Sequence, residues 1–334
     1  MEREQVRPPP PPMWRRLAPL VGVALLVWIL SGLQGARVMA ALSSVSALHV
    51  GVAALAFSCN VLVKALRWRR MLVAQGIHVP APITRSTFLA AVFYGQFTIG
   101  RLGELFRAEA LLERGVPLGR ALSSCVFDRV LDLYLVLALG AVLGALVFGE
   151  AEAALWAAGI LLSATAGGLA VVAVEAGAGP DLLRAPVQRL VAFVQRLPLG
   201  GGLVSSVRDL VSGVRPLLSP RPLLEAGAWT LIAWTGYFAA LYALALGMGV
   251  GVGPIVLTAA ATLAALSSLL PITVSGLGAR ELIYAELLGR HAVETEVAIV
   301  LALLHLAVMT GCVVIAGGAG IWARARQPAS AGEH

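Results

Sequence analysis

Two short stretches of this sequence set glycine, arginine and glutamate together inside an otherwise apolar chain. The first runs from Gly95 and Gln96 to Gly100, Arg101, Leu102, Gly103 and Glu104, with Arg107 one turn further on. The second follows Pro271 and reads Ser275, Gly276, Leu277, Gly278, Ala279, Arg280 and Glu281. Glycine lets backbone approach a ligand closely, and a helix beginning just beyond offers free amides and the positive end of its dipole. A guanidinium grips phosphate oxygens in bidentate fashion, so Arg101 and Arg107 at the first stretch and Arg280 at the second make candidate anion sites. The plainer alternative is that each Gly-Arg step ends a half-helix, with Arg101 paired to Glu104 and Arg280 to Glu281.

Three further charges, Asp128, Arg129 and Asp132, interrupt an apolar run at 121–148. Helical spacing puts the two aspartates on one face and Arg129 within reach of Asp132. Charges inside a span cost several kcal/mol unless compensated, so a partner is implied. Arg101 or Arg107 would serve, fastening the first stretch in place as a clamp or as a switch. The run Lys64-Ala-Leu-Arg67-Trp68-Arg69-Arg70 reads as snorkelling bases with an interfacial tryptophan, so Arg67, Trp68 and Arg69 are expected at the lipid interface. A sharper reading makes them a landing place for anionic headgroups. Glu294 and Glu296 begin the last apolar run, and His305 reads as a packed or hydrogen-bonded histidine.

The elements that must position these residues are transmembrane helices. Of 334 residues, 59% are apolar and only 13% charged, about half the charge of a soluble domain. Aromatics are 6%, so the excess is Leu, Val, Ala and Gly, which suits helices in lipid rather than a β-barrel. Water-soluble enzymes, nucleic-acid-binding domains and disulfide scaffolds are excluded. The net charge of +7 fits loops facing an anionic leaflet. Cys59, Cys125 and Cys312 are isolated in apolar runs, and no P-loop, HExxH or GxSxG is present, so no metal, cofactor or hydrolytic centre is expected.

Full-length apolar segments fall at 17–33, 45–65, 121–148, 153–174, 226–248 and 294–321, giving about six spans. The segments 86–113 and 255–289 differ: each has about 12–14 apolar residues, a reach of roughly 21 Å, before a polar break. Both read as re-entrant helical hairpins. With both termini cytoplasmic, this arrangement leaves only Arg37, Arg101, Arg107, Arg129, Arg280 and Arg290 away from the cytoplasmic side. The chain then divides into a cytoplasmic Pro/Arg-rich tail (1–16), a first membrane repeat (17–148), a second (149–322) carrying an amphipathic cytoplasmic insert (175–225), and a tail (323–334). Each repeat runs span, span, hairpin, span. With an odd number of crossings in each, the two are inverted, and TIGRLGELFRAEALL at 98–112 resembles TVSGLGARELIYAELL at 273–288. The expected fold is thus an all-α polytopic membrane protein with two hairpins in an inverted repeat.

Four ordered motifs, KALRWRRMLVAQG, GQFTIGRLGELFRAEALL, SSCVFDRVLDLYLVLAL and LPITVSGLGARE, resemble the lysylphosphatidylglycerol synthase transmembrane-region family, the flippase-like part of MprF proteins, from about residue 15 to 322. Ile99 stands where the family often has proline. The resemblance implies a stand-alone member without the aminoacyl-transferase domain, which moves a lipid between leaflets of the inner membrane. Its cargo would be an anionic or aminoacylated phospholipid or a lipid-linked glycan. Arg101, Arg107 and Arg280, with Gly100, Gly103, Gly276 and Gly278, are expected to hold the headgroup. Glu104, Glu281 and Asp128 would balance these arginines when the cavity is empty or hold an amine on the cargo, and Arg129 and Asp132 would balance or couple charge with them. The competing expectations are an accessory protein docking a lipid or glycan synthase through 175–225, and a transporter of a small soluble anion. Partners are membrane lipids, with no nucleic acid.

Overall fold

The computed structural model describes residues 26–98, 103–148, 209–268 and 276–326, with parts of 152–167. These are helical, with no strand among the described residues. The chain runs α1 (Gly35–Ser43), α2 (Ala47–Ala74), α3 (Ala81–Gln96), α4 (Phe106–Leu112) and α5 (Leu118–Phe148). After a 3-10 turn (Arg215–Leu218) come α6 (Pro220–Gly247), α7 (Pro254–Ser267), α8 (Ala279–Gly289) and α9 (Thr295–Ala325). Among the described residues four helices, α2, α5, α6 and α9, are long and apolar enough to cross a membrane. They match four of the expected spans. The segments 17–33 and 153–174, and most of 175–225, lie outside the described residues.

Proline at the first turn starts α6 and α7, where its missing N–H is no loss. One helix differs from expectation. The span expected to end at residue 65 continues as α2 to Ala74, carrying Lys64, Arg67 and Trp68 on through the core.

Both expected hairpin segments contain two short helices around a break. After the first break the chain folds back on α3: a Cβ at Gly103 would strike the Tyr94 carbonyl and lie 2.8 Å from the Gly95 nitrogen. After the second, Gly276 and Gly278 adopt φ of 78° and 84°, which only glycine takes readily, and Gly276 sits against Ser267 and Ser268 at the end of α7.

Eight of the described helices form two matching sets of four, α2 to α5 and α6 to α9. Helices α2 and α6 are both 28 residues long, and α5 and α9 are both 31. Exchanging α2 with α6, α3 with α7, α4 with α8 and α5 with α9 maps every packed pair of these helices onto another packed pair. The most extensive interface, α2 on α6, maps onto itself. In it Asn60 Nδ2 donates 2.6 Å to the carbonyl of Ala233, the residue at the same position of α6.

Small residues permit this closeness. A Cβ at Gly236 would lie 2.7 Å from the Ala56 carbonyl, and one at Gly320 of α9 2.8 Å from the Ser86 carbonyl of α3.

Candidate functional site

A ladder of charges runs through the core between α2, α4 and α5. Asn60, Lys64 and Arg67 share one face of α2, and Asp128 and Asp132, one turn apart on α5, face them. Arg67 reaches Asp128 Oδ1 at 2.7 Å and Asp132 Oδ1 at 2.8 Å, and also donates 2.7 Å to Thr230 Oγ1 of α6. Lys64 Nζ is 2.8 Å from Asp132 Oδ2, and Trp234 Nε1 donates 3.1 Å to Asp132 Oδ1. The other oxygen of Asp128 takes Arg107 Nη1 at 2.8 Å, joining α4 to the ladder. Arg107 Nη2 stands 3.6 Å from Glu104 Oε2, and Arg129 also pairs with Glu104. Arg67, Arg107 and Asp128 are fully buried, where unpaired charges would be very costly; the network compensates them. The Arg107 guanidinium also lies over the rings of Trp68 and Phe88, 5.3 and 5.0 Å away.

Beside this ladder lies a cavity of about 300 Å³. Helices of both halves line it: Lys64, Asp132, Arg129, Glu104 and Gln96 from the first, and Tyr237, Trp234, Ser268, Arg280 and Met309 from the second. Many lining residues are matched positions of the two halves. Aligned helix on helix, Val61 pairs with Trp234, Lys64 with Tyr237, Val92 with Ala265, Asp132 with Met309 and Val136 with Val313, and all ten line the cavity. The cavity therefore sits where the two halves meet, and its walls differ in kind. The first half supplies most of the charge; the second supplies aromatic and apolar surface plus Arg280.

The sequence candidates distribute as follows. Glu104, Arg129, Asp132 and Arg280 come together on the cavity wall. Asp128 and Arg107 lie behind it, in the pairing expected to fasten the first hairpin. Arg129 departs from expectation by pairing with Glu104, while Asp132 takes Lys64 and Arg67. Gly103, Gly276 and Gly278 shape the hairpins, and Glu281 Oε2 accepts the Gly278 N–H at 2.6 Å. Gly100 and Arg101 lie outside the described residues. Arg67 and Trp68 are 0% exposed, so they are core residues and not interfacial lipid contacts. The aspartates of α5 draw Arg67 inward, and Trp68 Nε1 donates to Ser124. Lys64 and Arg67 must likewise leave the count of cytoplasmic bases. Arg69 is half-buried, and Arg70 at the exposed end of α2 pairs with Glu225 at 3.5 Å. His305 is packed as expected, its Nδ1 3.2 Å from the Tyr284 hydroxyl.

Thr230, Trp234 and Tyr237 escaped the sequence reading, and Lys64 was read there as a base of the lipid interface. The signal for Lys64 was its i, i+3 relation to Arg67 and i−4 relation to Asn60, a polar stripe in an apolar helix. No comparable pattern marked the residues of α6.

Long apolar helices enclosing a compensated charge ladder define a multi-pass α-helical membrane protein. The chain belongs to the family described as lysylphosphatidylglycerol synthase TM region, matched over residues 16–317. No curated protein gives a significant match. The family ties the chain to lipid synthesis or translocation.

Proposed function

We propose that this protein is a lipid translocase, in which a headgroup enters the cavity between the two halves while the acyl chains stay in the bilayer. The observation that carries this reading is the cavity's rim. Leu105, Val126, Val130 and Leu133 line the cavity and are also 43, 38, 48 and 40% exposed. The last three lie at i, i+4 and i+7 on α5, an apolar lip running up to a polar floor. A lipid needs such a lateral opening; a site for a small soluble anion would be walled off from hydrocarbon.

In this reading Lys64, Arg129 and Arg280, with Arg101, hold the headgroup, and Glu104 and Asp132 balance these cations when the cavity is empty. Arg67, Arg107 and Asp128 brace the first hairpin. The proposal includes six spans and two re-entrant hairpins, with 17–148 and 149–322 as inverted repeats; the exchangeable packing of the halves supports it. It also places the protein in the inner membrane with tails 1–16 and 323–334 and the insert 175–225 on the cytoplasmic side.

Reconstitution into liposomes with fluorescent lipids tests the function. Leaflet exchange should be lost in Arg101→Ala and Arg280→Ala proteins that remain folded. Full exchange in both would overturn the assignment.

A further inference from the structure

The proposed translocase reading leaves the cargo open, and the charges at the cavity narrow it. Among the described residues, Lys64, Arg67, Arg107, Arg129 and Arg280 are the cations on its wall or directly behind it. The carboxylates there are Glu104, Asp128, Asp132 and Glu281. Five cations thus face four carboxylates, an excess of one positive charge in a low-dielectric setting.

The three carboxylates of the ladder are also occupied by cations. Asp132 holds Lys64, Arg67 and the Trp234 N–H; Asp128 holds Arg67 and Arg107; Glu104 holds Arg107 and Arg129. Glu281 is 0% exposed, away from the residues that line the cavity, and gives one oxygen to the Gly278 amide at the start of α8. An incoming ammonium would have to displace an internal cation from its carboxylate, leaving a buried charge uncompensated. An incoming anion meets no such barrier. Lys64 carries three N–H donors and gives one to Asp132 Oδ2, and its side chain is 16% exposed at the cavity; Arg129 beside it is 32% exposed.

Resting on that reading, we propose that the cavity selects a lipid headgroup of net negative charge that carries no amine, built on a phosphate or phosphodiester, and rejects cationic aminoacylated headgroups. The apolar lip and the charged floor then meet the two ends of such a molecule.

The test compares three fluorescent phospholipids of identical acyl chains in proteoliposomes of the full-length protein: phosphoglycerol, phosphoethanolamine and lysyl-phosphoglycerol. Thermal shift in detergent with short-chain versions of each, and with free glycerol phosphate, measures binding alongside. Phosphoglycerol lipid should exchange and bind at least about tenfold better than the lysylated lipid, with phosphoethanolamine between them. Lys64→Gln, which removes the excess charge, should narrow that gap several-fold. Equal or faster movement of the lysylated lipid overturns the charge selection and leaves the translocase standing. Stabilisation by glycerol phosphate as strong as by the lipid overturns the lipid form of the ligand. Failure of every lipid both to move and to bind overturns the translocase reading and this inference with it.

Discussion

Arg107 Nη1 donates 2.8 Å to Asp128 Oδ2 across 21 residues of chain, and the matched place in the second half holds another pair 21 apart, Tyr284 and His305 at 3.2 Å. In each half a residue on the helix after the hairpin break is tied to the long helix that follows. The first tie is an ion pair inside a larger charged network; the second is a neutral hydrogen bond, with His305 also against the Tyr237 ring at 5.2 Å. One architectural position has been filled with two chemistries.

Arg67 is the hub of the ladder, because it touches both aspartates of α5. Arg67→Met leaves Asp128 and Asp132 each short of a cation and should destabilise the protein by about 3–5 kcal/mol. Arg107→Met leaves Asp128 still paired with Arg67 and should destabilise it less. Thermal unfolding in detergent should rank the two in that order; equal losses would show that Arg67 is no more central than its neighbour.

Glycine positions on α9 make a matched pair. Gly320→Ala places a Cβ against the Ser86 carbonyl, a rigid backbone atom, while Gly318→Ala meets nothing within 4 Å. The first should lower stability by about 1–3 kcal/mol. The second should leave it unchanged or slightly raised, since alanine favours helix. A melting comparison of both variants with the parent decides the matter.

The lip of the cavity can be blocked without touching any charge. Val130 is 48% exposed on α5, so Val130→Trp has room to fold while narrowing the lateral opening. Lipid exchange should fall by roughly tenfold, about 1.4 kcal/mol of barrier, with an unchanged melting temperature. Exchange at the parent rate would argue that lipid enters elsewhere.

Side-specific labelling addresses the hairpins. In a protein freed of Cys59, Cys125 and Cys312, cysteines at His78 and Glu113 flank the first hairpin, and cysteines at Gly251 and His291 flank the second; all four positions are exposed. An impermeant maleimide should reach the first pair from one side of the membrane and the second pair from the other. Labelling of His78 and Glu113 from opposite sides would mean that the first hairpin crosses fully.

The amino-acid sequence by itself determined the class of molecule. Low charge, long apolar runs and two short apolar stretches broken by Gly-Arg-Glu specify helices in lipid and two interruptions in them, because hydrocarbon tolerates neither unpaired backbone nor unpaired charge. It also carried the internal likeness of the halves and the need for a cation opposite Asp128. Tertiary structure alone decided which cation that would be. The stripe of Asn60, Lys64 and Arg67 marks a polar face of α2 but not what packs against it, and so not whether its bases snorkel or turn inward. Arg67 and Arg70 lie three residues apart on the same helix, yet one is buried between two aspartates and the other pairs with Glu225 at the surface. The difference comes from what packs against each face: α5 presents its aspartates to Arg67, and α6 supplies Thr230 and Trp234 from far along the chain. The cavity is of the same kind, since it exists only where two matched sets of helices meet and no single segment encloses it.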